Sequence, residues 1–556
     1  MKRRAFLAGA AALACSSAVP DPTPSPTSRA QSLLSGMSIP DRAAQTMSVA
    51  FHGRTITSHL ERMIREKHVA GVVIFRENVE DAAALRRLTA DLQRIAREAR
   101  VPPLLIAMDQ EGGPVVRVTK GVALPPAQMA LAAAPDPAAA VRRSAQLVAR
   151  ELRALGVNWQ LAPVADVNDE PLNPIIGNRA FGSDPRTVGA LVAIAVRAYA
   201  DAGLLCCAKH FPGHGSATID SHKELPEILS PRSRLDAVEL VPFRAAIAAD
   251  VPAIMSAHLT IPALGAAQQP ATLSRAVMTD VLRTELGFRG LCVTDDLEMQ
   301  ALARSGGQAA AAASALQAGA DYLLFRFDEG AQLEGHRLLV DAVLSGRVPP
   351  RRLDEAVTRV LEAKSRWNVL EAPAPPTFDL EADRAEALDL ARQGVTVLRA
   401  AGLPLRGQVL AISYGRPDIA VVEDQPTLAD VVARTVPGAR AHRLERLTPA
   451  DIPTAVGAAR DADVVVVGTY DALADPVQAE LVTALQRVRP TVAVALRSPY
   501  DVLAYPGVGG FVCAYSGREP SLVAAVEVMT GARPPLGRLP VDVRDLYRIG
   551  AGMRTL

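Results

Sequence analysis

Aromatic side chains are scarce in this 556-residue chain, at 4% of positions, and an excess of either charge is missing altogether. Sixty Lys and Arg stand against 59 Asp and Glu, a net charge of +1. That balance generates no field that would gather nucleic acid or an anionic membrane, so a neutral partner such as a sugar is the more natural expectation. Cysteine is also sparse, with five residues, none at the spacing of a zinc site or a disulfide framework. Cys206, Cys207, Cys292 and Cys513 lie inside apolar runs and read as small buried hydrophobes; adjacent Cys206 and Cys207 should face opposite sides of one strand. Beyond the N-terminus no apolar run is long enough to span a bilayer.

What is present begins with an address. Lys2-Arg3-Arg4 opens a short Ala- and Gly-rich apolar stretch that ends at Cys15, the pattern of a signal peptide over 1–15. Arg3-Arg4-Ala5-Phe6-Leu7 resembles the twin-arginine export motif. Ala12-Leu13-Ala14-Cys15 resembles a lipobox with Ala12 where Leu is more usual, so lipid anchoring at Cys15 and simple secretion both stay open. Residues 16–28, carrying Pro20, Pro22, Pro24 and Pro26, read as an extended tether. A chain of this length exceeds a single core.

From residue 29 to 370, β-rich runs alternate with stretches of helical period. Eight strand candidates emerge: Thr46–Phe51, Gly71–Phe75, Leu104–Met108, Val157–Pro163, Leu204–Ala208, Ala253–Ser256, Leu291–Thr294 and Tyr322–Phe325. Eight βα units predict an α/β fold built on a TIM-type (β/α)8 barrel, whose active site gathers beyond the strand C-termini. Asp109, Lys209-His210, His258 and Asp295 each follow a candidate strand, and several ionisable groups converging on one rim favour a site over ordinary loop starts. Asp166 and His258 are weaker candidates, able equally to hydrogen-bond loop backbone, and Trp159 reads as core.

His210, His214, Asp220 and His222 crowd one stretch, so a metal must be considered. Pro212, Gly213 and Gly215 interrupt any helix that would align His210 with His214, which disfavours one. A Gly-punctuated loop suits an acid/base group instead: Asp220 can accept from one ring nitrogen of His222 and fix its tautomer.

Lys209-His210-Phe211-Pro212-Gly213-His214-Gly215 followed by Asp220-Ser221-His222, with Asp109-Gln110-Glu111-Gly112-Gly113 upstream and Thr294-Asp295-Asp296 downstream, resembles the β-N-acetylglucosaminidase branch of glycoside hydrolase family 3. The resemblance covers nearly all of residues 35–370. It implies a retaining hydrolase acting on an N-acetylglucosamine-containing glycan, with Asp295 as nucleophile, His222 as acid/base, Asp220 as its holder, and no metal or organic cofactor. It also implies that Asp109, Arg117, Arg179, Lys209 and His210 grip the sugar, although Arg117 and Arg179 could equally be structural ion-pair partners. Pro114 stands where relatives commonly carry Arg. A β-glucosidase of the same family, or a non-catalytic wall-binding lipoprotein, are the competing readings.

After Trp367, the Pro-rich stretch within 371–384 reads as a linker. In 385–556, the runs Val409–Ile412, Val464–Val467, Val492–Leu496 and Gly510–Cys513 predict a smaller parallel α/β sandwich, and residues 531–543 resemble the closing segment of two-domain family members.

Overall fold

The computed structural model describes residues 25–221, 224–305, 307–415 and 425–556. The expected signal peptide, Cys15, most of the tether and His222 lie outside the described residues.

Eight short parallel strands form the first sheet: β1 (Met47–Val49), β2 (Gly71–Ile74), β3 (Leu105–Met108), β4 (Trp159–Gln160), β5 (Leu205–Phe211), β6 (Ala253–Ser256), β7 (Leu291–Thr294) and β8 (Leu323–Phe325). They pair in chain order, β8 pairs with β1, and a parallel bridge between Val293 and Tyr322 closes the ring. This is the expected barrel: seven strands fall inside their predicted runs, and β5 extends three residues past its own, to Phe211. Alternation along the strands builds two cores. Leu105, Ala107, Leu205, Cys207, Leu291 and Val293 fill the interior with Trp159, which is fully buried. Ile106, Met108, Cys206, Ala208 and Cys292 face the helical shell. Cys206 and Cys207 thus do face opposite sides. Helices of the shell start at acidic caps: Asp136 and Asp184 accept from Ala139 and Thr187 backbone N–H, each with Pro at the next position.

The second sheet has the order β11-β10-β12-β13-β14-β9. Its members are β9 (Thr396–Ala400), β10 (Val409–Tyr414), β11 (Arg440–Leu444), β12 (Val464–Thr469), β13 (Thr491–Ala495) and β14 (Gly510–Cys513). Four match the predicted apolar runs. The two others are edge strands, and β9 lies antiparallel on β14, so the sheet is mixed rather than wholly parallel. β11 reads Arg-Ala-His-Arg-Leu with no buried position, because an edge strand needs only one covered side and charge blunts its open edge.

Two expected boundaries shift. Helix Pro26–Ser35, capped by Ser25, begins inside the expected tether. Residues 371–384 are irregular only through 379, where Asp379 accepts from Glu381 and Ala382 N–H and starts helix Leu380–Gly394. That helix is tied to barrel helix Pro137–Ala154 by Arg150, which reaches Asp383 at 2.5 Å and Glu386 at 2.9 Å. Among the described residues no helix is long and apolar enough to cross a membrane.

Candidate active site

The site grows out of the C-terminal rim of the barrel. Beyond β3 the inward alternation of Leu105 and Ala107 continues to Asp109 and Glu111. Gly112 and Gly113 then turn the chain at φ +95° and +55°, where an added Cβ would lie 2.7 Å from Pro126 O and 2.6 Å from Ala127 Cβ. Only glycine fits both demands. On β5, Leu205, Cys207 and Lys209 face inward, so His210 would ordinarily face out. The β5–β6 register pairs Lys209 with Met255 and Phe211 with Ser256, skipping His210. This bulge turns His210 toward the rim and sends Phe211 outward, edge-on to Phe243 at 5.2 Å.

The side chains interlock. Lys209 Nζ lies 2.6 Å from both Asp109 Oδ1 and Glu111 Oε1. Arg117 Nη2 donates to Asp109 Oδ2 at 2.8 Å, and Arg179 grips Glu111 through Nε and Nη2, each at 2.9 Å. Arg117 and Arg179 are therefore ion-pair partners of the rim carboxylates Asp109 and Glu111. Burial alone would raise both carboxyls. Lys209 and Arg117 outweigh it at Asp109, holding that group well below the usual carboxylate range, and Arg179 with Lys209 holds Glu111 at about 2. Both remain ionised at any working pH.

Asp166, beyond β4, is the buried hub of the next layer. Its Oδ2 lies 2.7 Å from His210 Nδ1, and its Oδ1 accepts from His214 N–H at 2.6 Å. With Nδ1–H committed to Asp166, His210 Nε2 is left to accept from Arg179 Nη2 at 3.4 Å. His214 Nε2 meets Ser221 Oγ at 3.0 Å, which ties this layer to the segment containing Asp220. Burial pushes the His214 imidazole down to about 4, so it stays neutral through ordinary pH.

Asp295 follows Leu291 and Val293 in the inward alternation beyond β7. Its backbone N–H donates to Ser256 O at 3.2 Å and its Oδ1 accepts from Asp296 N–H at 2.8 Å. Its place just after β7, one alternation beyond Val293, puts it at the same C-terminal rim. Asp296 turns instead toward Arg326, 3.5 Å away, and burial pushes its carboxyl up to about 7. His258 Nε2 faces Asp296 O at 3.0 Å.

Of the residues expected from sequence, Asp109, Arg117, Arg179, Lys209 and His210 form one connected cluster, with Asp295 at the same rim and Asp220 on the adjoining segment. Glu111 and Asp166 were missing from that set. Glu111 stands two residues after Asp109 on the same face, and Asp166 obeys the strand-end rule that picked out Asp109. The second domain also reaches this rim. Arg518 Nε donates to Gly113 O at 3.1 Å and Arg497 Nη2 to Pro174 O at 2.8 Å; Asn178, between Gly177 and Arg179, donates to Tyr515 O at 2.5 Å. Pro114 O accepts from Arg518 Nη2 at 3.4 Å. Nothing local in the sequence marks these contacts.

Residues 38–363 match the model described as the glycosyl hydrolase family 3 N terminal domain. Among curated proteins, the chain is 31% identical over 389 residues to a beta-hexosaminidase A of Pseudoalteromonas piscicida, across 66% of this chain and 65% of that protein. It is 40% identical over 277 residues to a beta-hexosaminidase of Xylella fastidiosa (strain 9a5c), across 49% of this chain and 80% of that one. Among solved structures, a glycoside hydrolase family 3 beta-N-acetylglucosaminidase from Paenibacillus sp. str. FPU-7 superposes with a TM-score of 0.87 at 34% identity, covering 92% of this chain and 100% of that one. A rim assembled from these strand ends, on a barrel whose sequence matches that model over more than half its length, means that the chain belongs to glycosyl hydrolase family 3.

Proposed function

We propose that this chain is a retaining glycoside hydrolase that removes terminal β-linked N-acetylglucosamine. The observation that carries the reading is the convergence of Asp109, Glu111, Asp166, Arg179, Lys209 and His210 on the rim that also holds Asp295. Two carboxylates kept ionised by fixed cations offer strong acceptors for sugar hydroxyls, and the guanidiniums and ammonium that hold them are oriented donors. Asp295 would attack the anomeric carbon while His222, oriented by Asp220, protonates the departing oxygen. The same histidine, then neutral, would activate the water that releases the sugar. Relatives carrying hexosaminidase and beta-N-acetylglucosaminidase names support the choice of sugar.

The N-terminal pattern supports export by a twin-arginine-like route to the periplasm or cell exterior, with Cys15 as the lipid attachment point. Cell-wall fragments or chitin-type oligosaccharides are the substrates met there. The test compares nitrophenol release from the β-N-acetylglucosaminide and the β-glucoside. Preferential cleavage of the first is expected; preference for the glucoside overturns the sugar assignment, and hydrolysis of neither overturns the enzyme. For the anchor, incorporation of labelled palmitate should vanish in Cys15→Ser, and its absence from the native chain would refute lipidation.

A further inference from the structure

The turn that aims Arg179 at the barrel rim has a second face. Asn178, its neighbour, points toward the second domain, at a place where that domain's topology favours a ligand. In the order β11-β10-β12-β13, the chain leaves β10 toward one edge of the sheet and returns to β12 on the other side. The gap between β10 and β12 is thus a topological switch point, and the crevice beyond the strand C-termini at such a point is where open α/β sheets hold ligands. A cavity of about 150 Å³ lies there. The ends of β10, β12, β13 and β14 wall it on one side, and Pro114 and Asn178 of the barrel on the other. None of the residues gathered at the barrel rim lines it.

The polar groups around this cavity are incomplete by themselves. Asn178 is 1% exposed. Its Nδ2 donates to Tyr515 O, which fixes the amide's orientation, and leaves Oδ1 buried without a hydrogen-bond partner among the described residues. Arg497 spends Nη1 on Asp471 and Nη2 on Pro174 O, while its buried Nε is likewise unpartnered. Among the described residues the Arg518 guanidinium donates to the carbonyls of Gly113 and Pro114 alone, and burial pushes it down to about 10. Among the described lining residues there is no Asp or Glu. A half-buried cation with no counter-charge among the described residues, beside an orphaned buried acceptor, is a combination that folding alone disfavours.

We propose that this cavity binds a small polar molecule bearing a carboxylate, which meets Arg518 and Arg497 while a hydroxyl or N–H of the same molecule donates to Asn178 Oδ1. An amino acid and a sugar acid share that chemistry. Because Asn178 and Arg179 sit on one turn, an occupant of the cavity braces the segment that presents Arg179 to the rim. The site stands independently of the hydrolytic reading.

Calorimetric titration of the whole chain with D-alanine, D-glucuronate and acetate, each with and without saturating N-acetylglucosamine, tests it. One molecule of alanine or glucuronate per chain should bind at least about tenfold more tightly than acetate, and should still bind when N-acetylglucosamine is present. Whichever of the two binds identifies the source of the carboxylate. Arg518→Met should weaken that binding by at least about tenfold, with Arg518→Lys retaining part of it. Heat from neither probe, one-for-one competition with N-acetylglucosamine, or unchanged affinity in Arg518→Met would overturn the proposal. Crystals of the unaltered chain soaked in the better probe decide the matter if Arg518→Met does not fold: density between Arg518 and Asn178 supports the site, and density only at the barrel rim refutes it.

Discussion

Both sheets of this protein present strand C-termini toward the place where the domains meet, yet the two ends are furnished in opposite ways. The barrel rim is dense with paired charge: Asp109, Glu111 and Asp166 are each matched to Lys209, Arg117, Arg179 or His210. The end of the second sheet offers Arg497 and Arg518, whose contacts across the domain boundary are all to backbone carbonyls. Fixed, compensated charge is what stabilises a developing transition state, because it needs no reorganisation when charge appears. Arginines spent on carbonyls hold a loop in place. The difference assigns chemistry to the barrel and positioning to the second domain.

The comparison breaks most readily at Asp295. Its replacement by Ala should lower kcat by about 10⁴-fold or more if it is the nucleophile, since no other group forms the intermediate. Initial rates on the nitrophenyl N-acetylglucosaminide measure this. A loss of only a few fold would move the nucleophile elsewhere. His222→Ala should suffer less on substrates whose leaving group needs little protonation.

Lys209 comes next. Lys209→Met would leave Asp109 and Glu111 sharing a buried site with only their arginines, at a cost of about 2–5 kcal/mol and hence a fall in kcat/KM of about 30-fold or more. The pH profile carries a sign as well. Lys209 helps hold the Asp109 carboxyl below its ordinary value, so removing it raises that value and moves the acid limb of kcat/KM to higher pH. An unmoved acid limb would mean that Asp109 does not touch the reaction.

On the second domain the expected effect is smaller and of another kind. Arg497→Met removes the hold on Pro174 O and the packing against Gly177, where the Arg497 side chain comes within 3.4 Å of the position a Cβ would take. If Arg179 grips the sugar equally in ground and transition states, as proposed, loosening this segment should raise KM by about three- to tenfold with kcat nearly unchanged. A fall in kcat comparable to that of Asp295→Ala would erase the distinction between the domains.

Legibility in the sequence followed the same division. The barrel strands could be placed because each is a short apolar run bounded by turns, and its rim because ionisable residues beyond such runs are conspicuous. Asp166 was discounted on its backbone alternatives, though its hydrogen bonds to the His210 ring and His214 backbone make it the hub of a network; one ligand pair in a fold is invisible until both partners are placed. β9 and β11 escaped notice because edge strands lack the continuous apolar run that two covered faces impose. Arg518 lies some 400 positions from the carbonyls it holds, and only the docking of the domains creates that contact.

The smallest effect concerns Asp296. The folded chain keeps a proton on this carboxyl up to about pH 7, whereas the unfolded chain releases it near the ordinary value of 3.8. Stability from this group is therefore complete below about pH 4 and is lost progressively as pH rises toward 7. Asp296→Asn keeps the oxygen that accepts from Glu298 N–H at 2.9 Å and removes the titration. The variant should match the native chain in thermal unfolding at pH 4 and exceed it at pH 8, by about 1–2 °C if the discounted benefit is about 1 kcal/mol. The corresponding cation across the domain boundary gives the contrast: Arg518, at about 10, stays charged throughout this range, so Arg518→Lys should leave the pH dependence of unfolding between 4 and 8 unchanged. A stability that shifts with pH in Arg518→Lys but not in Asp296→Asn would reverse the assignment of titrating chemistry to the barrel.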